Sequence, residues 1–172
     1  FYLLGNIGYA NAGRWDEAIA EQQKALDLDP AFYYARSGLM FTYAAKGTVA
    51  EAVARADRMM AALPETDDPM LLGELSWIYG LSGRPETARK LFDRLLALKA
   101  KRYVNAYVLA YFYVGLGDKD TAFEWLNRSY AEHECIMVWL KQDPLMRTLR
   151  SDPRFKDLLT RIDIHEKYGE RS

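Results

Sequence analysis

The sequence is poor in the features that mark secreted, membrane-spanning or strongly charged proteins. It contains one cysteine among 172 residues, so it cannot form an internal disulfide bond, and we expect a reducing, cytoplasmic location. It has no run of 18 apolar residues and no signal-peptide pattern, so we expect neither a membrane span nor secretion. Its formal net charge of -1 creates no overall field that would attract nucleic acid or an anionic membrane.

Motifs for catalysis and for cofactor binding are missing as well. The sequence has no glycine-rich phosphate loop, no spaced zinc ligands and no nucleophile motif. The His-Glu-Cys stretch at 133–135 has the residue types of metal ligands, but adjacent residues do not converge on one ion, so we interpret it as a polar helix end. We interpret the basic residues within 99–102 as a helix end and loop. We therefore expect a protein that is not an enzyme, with no catalytic residue, no metal and no cofactor.

The sequence does contain a repeated trio of residues: a tyrosine, a glycine four positions later and an alanine five positions after the glycine. The copies are Tyr9-Gly13-Ala18, Tyr43-Gly47-Ala52, Tyr79-Gly83-Ala88 and Tyr113-Gly117-Ala122. Successive copies start 34, 36 and 34 residues apart. A period of this length predicts a stacked array of similar units rather than one irregular core.

Apolar residues at helical spacing surround each trio, which predicts two helices in each unit. Each trio glycine is expected to end a first helix, because glycine adopts the left-handed conformation without a steric penalty. Pro30 and Pro64 are expected to stop second helices, because proline cannot continue a helix. The predicted helices cover 1–12, 15 to the Asp29-Pro30 pair, 31–45, 49–62, 69–81, 85–98, 102–115 and 119–132. Beyond them we predict a short apolar helix or turn over 135–142, helix starts at Asp143-Pro144 and Asp152-Pro153, a last helix ending near 164, and a frayed tail over 165–172.

The trio and its surroundings resemble the tetratricopeptide repeat family, whose units carry tyrosine and glycine on the first helix, a small residue on the second and a closing proline. The resemblance covers residues 1–132. It implies an all-α fold: a right-handed α-solenoid of four helix-turn-helix units at 1–30, 31–64, 65–100 and 101–132, followed by capping helices at 133–164. The sequence departs from the family pattern at the closing proline, which is Ala100 in the third unit and Glu134 in the fourth.

The resemblance also implies a binding surface, because in this family the first helix of each unit lines a concave face that receives a peptide. The position two residues before each trio tyrosine holds Ile7, Phe41, Trp77 and Tyr111, and Tyr107 lies one turn before Tyr111. These side chains are apolar or aromatic and carry no charge. They favour an apolar peptide or an amphipathic helix over a C-terminal carboxylate, which needs fixed cations. We therefore predict a protein-interaction scaffold with these five residues as its peptide-binding site.

The sequence leaves three arrangements of this concave face open. The face is open to a peptide, or neighbouring first helices or the tail around Trp139 cover it within the chain, or a second copy of the protein covers it in a homo-oligomer. Exposed aromatic patches without a partner are rare in soluble proteins, so each arrangement supplies something to cover them.

The tail indicates an alternative function. The stretches from Trp139 to Pro144 and from Leu149 to Leu159 resemble the ending of many bacterial repeat proteins, in which such an array often follows a DNA-binding, kinase or nucleotide cyclase domain. The resemblance implies, as an alternative, a sensor, regulatory or self-association segment of a larger bacterial signalling protein. The sequence starts at Phe1 inside an apolar run without an N-cap, so we expect it to be part of a longer chain.

Overall fold

The computed structural model describes Tyr9 and residues 13–162, and the regular elements among these residues are helical. The α-helices are α1 (Trp15–Leu28), α2 (Tyr33–Lys46), α3 (Val49–Ala62), α4 (Pro69–Leu81), α5 (Pro85–Lys99), α6 (Ala106–Leu116), α7 (Lys119–Ala131) and α8 (Pro153–Arg161). Between α7 and α8 lie two 3-10 helices, Cys135–Trp139 and Pro144–Leu149. The predicted all-α fold class is therefore confirmed.

Consecutive helices pack against each other as helix-turn-helix pairs. In the second, third and fourth units, α2 packs on α3, α4 on α5 and α6 on α7. Neighbouring units are joined by further contacts, in which α1 packs on α2, α3 on α4, and the first helix α4 on the next first helix α6. Because each unit buries its apolar surface against its neighbours, this succession of pairs forms the predicted α-solenoid.

The glycines and alanines of the four trios have structural roles. Gly13, Gly47, Gly83 and Gly117 have positive φ angles of 73°, 95°, 76° and 78°. Each glycine therefore turns the chain in a conformation that other residues adopt only at a steric cost. Ala18, Ala52, Ala88 and Ala122 are all 0% exposed, so the second helix of each unit has no room for a larger side chain at this position.

The helices α4 and α6 approach closely because glycines lie at their contact points. A Cβ atom on Gly115 would overlap the carbonyl oxygen of Trp77, and one on Gly80 would lie 2.9 Å from the carbonyl carbon of Gly115. Further along the same helices, a Cβ atom on Gly73 would lie 2.5 Å from Cγ1 of Val108. A side chain at these positions would push the helices apart, so the glycines set the spacing between the third and fourth units.

The start of α6 differs from its predicted position. The helix begins at Ala106, although the apolar pattern predicts a start at 102. The backbone amides of Ala106 and Tyr107 donate hydrogen bonds to the carboxylate of Glu134, at 2.6 and 3.1 Å. The helix therefore starts where a carboxylate 28 residues further along the chain satisfies its first free amides, a partner that local sequence does not reveal.

Parts of the prediction lie outside the described residues. These parts are the helix over 1–12 apart from Tyr9, the contact residue Ile7, and the frayed tail over 165–172. The division into four units over 1–132 and capping helices over 133–164 stays a prediction. None of the described helices combines the length and the apolar composition that crossing a membrane requires.

Candidate functional site

The residues that follow α7 fold back across first helices of the solenoid. The 3-10 helix Pro144–Leu149 packs against both α6 and α2, and its apolar side chains are buried. The Nη1 atom of Arg147 donates a hydrogen bond to the carbonyl oxygen of Ala45, near the end of α2, at 3.0 Å. We call residues 135–150 the tail segment. It connects the fourth unit to the second unit across the face on which the predicted contact residues lie.

The four predicted contact residues that the structure describes are all buried. Tyr107 is 0% exposed, Tyr111 5%, and Phe41 and Trp77 7% each. The rings of Phe41 and Trp77 meet edge to face with centroids 6.2 Å apart, and those of Tyr107 and Tyr111 do so at 5.6 Å. In this conformation the chain itself covers these side chains, which is the second of the three arrangements. The role of these residues and of Ile7 in binding a peptide stays a prediction.

Trp139 is not the residue that covers the aromatic face. It is 49% exposed and its neighbour Val138 is 62% exposed, because the 3-10 helix Cys135–Trp139 buries only Met137. The fully buried apolar residues of the tail segment include Met146 and Leu149 instead. Leu140, which directly follows Trp139, is also 0% exposed, so the buried part of the tail segment includes residues next to Trp139.

Asp143 anchors the tail segment to the aromatic face. Its Oδ2 atom accepts hydrogen bonds from the hydroxyls of Tyr107 and Tyr111, both at 2.8 Å, and its Oδ1 atom accepts one from the amide of Leu145 at 2.9 Å. Burial raises the pKa of Asp143, while these hydrogen bonds and the charge of Arg150 oppose that rise. Burial also raises the pKa of both tyrosines, and the nearby Asp143 carboxylate adds to the effect. The direct hydrogen bonds to the Asp143 carboxylate thus come from two tyrosine hydroxyls and one backbone amide, and the charge of Arg150 lies nearby.

Glu74, on α4, is a second carboxyl group among the first helices of the units. Its Oε2 atom accepts a hydrogen bond from the Ser37 hydroxyl at 2.7 Å, which joins α4 to α2. Burial raises the pKa of Glu74 to about 8; the Ser37 hydrogen bond opposes the rise, and the charges of Asp143 and Asp68 add to it. Glu74 is therefore largely protonated at neutral pH, and a second negative charge beside Asp143 is avoided.

Glu134 fixes the beginning of the tail segment. Its carboxylate accepts hydrogen bonds from the amides of Ala106 and Tyr107, from the Ser129 hydroxyl at 2.6 Å and from the Tyr103 hydroxyl at 2.9 Å. Burial raises the pKa of Glu134, but these four hydrogen bonds outweigh burial and lower it overall. The residue that replaces the closing proline of the fourth unit therefore ties α6, α7 and the tail segment together.

The chemical groups in this region are aromatic rings, hydroxyls and carboxyl groups. Within Tyr9 and residues 13–162, no three His, Cys, Asp or Glu side chains come together in a way that could hold a metal ion. Cys135 is a free, exposed thiol, and His133 has a positive φ of 53° just after the end of α7. The aromatic face and its tyrosine hydroxyls can hold apolar side chains together with one carboxylate.

Comparison with known protein families finds a match at the start of the sequence. Residues 1–32 match the family model described as tetratricopeptide repeat, and this region contains the first trio, Tyr9-Gly13-Ala18. No curated protein matches the sequence. Tetratricopeptide repeats generally mediate protein–protein interaction. The comparison thus shows similarity to the tetratricopeptide repeat over residues 1–32, and the three further copies of the trio repeat the spacing found in that region.

Proposed function

We propose that this chain is a protein-interaction scaffold whose aromatic face receives an apolar peptide or helix of a partner protein. The observation that supports the proposal is the position of the tail segment, which occupies this face as a peptide ligand would. The tail segment packs buried apolar side chains against α2 and α6, and it inserts the Asp143 carboxylate between two tyrosine hydroxyls. A partner segment with apolar residues around one acidic residue would make the same contacts.

A partner that uses this face must compete with the tail segment. Because the tail segment is covalently attached, its effective concentration at the face is in the millimolar range, as for other short tethers. The hydrogen bonds to Asp143 are made to a charged group, and each such bond contributes about 1.5–3 kcal/mol. Weakening this anchor should therefore make the face accessible without altering the helices that form it.

The proposal is tested with a fluorescent peptide of residues 135–150 that carries Cys135→Ser, added to the wild-type chain and to the Asp143→Ala variant. We expect the variant to bind the peptide at least about tenfold more tightly, since loss of one such hydrogen bond corresponds to about that factor. The same peptide with Asp143→Ala should bind weakly to both chains, because it cannot satisfy the hydroxyls of Tyr107 and Tyr111. Fluorescence anisotropy measures the affinities.

The matched control is Asp157→Ala, which removes an exposed aspartate from α8. Its side chain is 66% exposed and forms only a long ion pair with Arg161, so peptide binding should equal that of the wild type. Circular dichroism verifies that both variants keep their helices. If the folded Asp143→Ala chain binds the two peptides equally, or binds neither, the aromatic face is not a peptide site.

The covered face supports a second candidate function, a regulatory or self-association segment of a cytoplasmic bacterial signalling protein. In this alternative the tail segment acts as a built-in ligand, and a signal or an attached domain controls its release. Self-association would then consist of two chains exchanging tail segments, which preserves every tail contact. Light scattering, which measures the molar mass of the complex, tests this form directly. Exchange of tail segments predicts dimers that persist after dilution. Binding of an external peptide predicts that the number of chains in the complex stays the same when peptide is added.

A further inference from the structure

A second candidate site lies apart from the tail segment, which contributes none of its lining residues. Here α1, the first turn of α2 and α3 enclose a cavity of about 270 Å³. Its lining consists of Leu26, Arg36, Arg55, Arg58 and Met59. Three of these five side chains are guanidinium cations, and none is acidic.

The three guanidinium groups lining the cavity are not held in ion pairs within the described part of the chain. None of them forms an ion pair with a described carboxylate. Two aspartates at the end of α1 are engaged elsewhere, since Asp27 accepts a hydrogen bond from Gln23 and Asp29 accepts one from the amide of Ala31. Arg55 and Arg58 are three positions apart on α3, where like charges repel. Folding therefore concentrates positive charge that an anion would neutralise.

Arg36 also keeps hydrogen-bond donors that no described residue uses. Arg36 donates from Nε and Nη2 to the carbonyl oxygen of Pro30, which orients its guanidinium and leaves Nη1 without a bond to a described residue. The guanidinium carbon of Arg55 lies 4.6 Å from the centroid of the Tyr43 ring, a cation–π contact. Arg58 is exposed beside the cavity.

We propose that this cavity binds a phosphate monoester group. Guanidinium groups bind phosphate oxygens through paired, charge-assisted hydrogen bonds. A phosphate monoester carries a charge of about -1.5 to -2 at neutral pH, which offsets three cations better than a single carboxylate does. Leu26 and Met59 provide apolar walls for the carbon atoms of the ester. The group would come from a phosphorylated serine or threonine of a partner protein, or from a small phosphate ester.

Calorimetric titration of the full chain at low salt tests the proposal with four probes. They are a blocked peptide with one phosphoserine, the same peptide with serine, the same peptide with glutamate, and inorganic phosphate. We expect the phosphoserine peptide to bind about tenfold or more tightly than the serine and glutamate peptides. Binding stronger than that of inorganic phosphate assigns the site to a phosphorylated protein, and equal binding assigns it to small phosphate compounds; both results support the site.

Variants identify the contribution of the arginines. The Arg55→Ala, Arg58→Ala double variant should lose about tenfold or more in affinity. Arg58→Lys keeps the charge but not the forked donor geometry, so it should lose part of the affinity. The charge-matched control is Lys90→Ala, Lys119→Ala, which changes two exposed lysines on other helices and should bind as the wild type does.

Three results would overturn the phosphate site. They are equal affinity for the glutamate and phosphoserine peptides, unchanged affinity in a folded double arginine variant, and no binding of any phosphate probe at millimolar concentration. The site is independent of the aromatic face, so the Asp143→Ala variant should bind the phosphoserine peptide as the wild type does.

Discussion

Glu74 shows how a single ionisable residue couples the folded state to pH. Burial raises its pKa to about 8, with the Ser37 hydrogen bond opposing and the charges of Asp143 and Asp68 adding to the rise. A glutamate in an unfolded chain has a pKa of about 4.3. Between these two values the folded chain binds more protons than the unfolded chain does. The contribution of Glu74 to the free energy of unfolding is therefore fully present below about pH 4 and is lost as the pH rises towards 8.

The variant Glu74→Gln should remove this pH dependence. At pH 8 we expect it to unfold with a free energy about 1–3 kcal/mol above that of the wild type, since each displaced pKa unit is worth about 1.4 kcal/mol and partial exposure reduces the total. Near pH 4 the two chains should be equally stable. Urea unfolding followed by circular dichroism from pH 4 to 8 measures the difference, with Glu124→Gln as an exposed control on α7. If the free energy of unfolding changes with pH in the same way for the wild type and the variant, Glu74 does not have a raised pKa.

The residues that organise the site were the hardest to predict from the sequence. Asp143 was predicted as a helix N-cap, and it does accept a hydrogen bond from the Leu145 amide. Its two tyrosine partners are 36 and 32 positions away in the chain, so no local pattern indicates them. Glu134 was interpreted as part of a polar helix end and as a departure from the family pattern, although it caps a helix that starts 28 positions earlier. Such contacts follow from the way that units stack.

At the scale of the elements, helical periodicity and turn residues predict most of the helix boundaries. The ranges 49–62 and 69–81 coincide with α3 and α4, because helical spacing and proline or glycine mark both ends of each. The inner-face glycines gave no such signal, since glycine within a helix usually indicates a cost of about 1 kcal/mol and a weaker helix. The reason for Gly73, Gly80 and Gly115 is the close packing of α4 against α6, which a side chain at these positions would prevent.

The contact between α4 and α6 gives a prediction at this scale. Gly115→Ala should lower the free energy of unfolding by about 1–3 kcal/mol through overpacking, although alanine is the better helix former, because its Cβ atom would overlap the backbone of Trp77. Thermal and urea unfolding measure the change. The comparison variant is Gly83→Ala, whose Cβ meets nothing within 4 Å and whose cost of about 1–2 kcal/mol comes from its positive φ alone.

The two glycine variants should differ in peptide binding as well as in the loss of free energy of unfolding. Overpacking at Gly115 acts between units, so it should also weaken the contacts of α6 with the tail segment and, in the Asp143→Ala background, lower the affinity for the 135–150 peptide, which uses the same face of α6. Strain at Gly83 acts within the turn of the third unit and should leave peptide binding unchanged. A Gly115→Ala chain as stable as the wild type would mean that α4 and α6 can move apart without loss.

At the scale of the whole molecule, the tail segment connects parts of the solenoid that are otherwise far apart in the chain. The first helices α4 and α6 share an extensive contact, whereas α2 meets α4 mainly through the Phe41–Trp77 rings and the Ser37–Glu74 hydrogen bond. The 3-10 helix Pro144–Leu149 adds a connection from α6 to α2. The sequence predicted a solenoid with a capping region, but whether that region covers the end or the face depends on long-range packing that no repeat pattern records.

This arrangement predicts that the tail segment stabilises α2 from a distance. Leu149→Ala should lower the free energy of unfolding by about 2–5 kcal/mol, as for other fully buried leucines, and should speed hydrogen exchange in α2 as well as in α6. Leu158→Ala is the matched control, since Leu158 is 1% exposed on α8, which contacts α7 through the Arg154–Asp120 ion pair and the Arg161–Asn127 hydrogen bond. It should speed exchange in α7 at a similar overall cost. If both variants leave α2 equally protected relative to α4, the tail segment covers the aromatic face without holding the second and fourth units together.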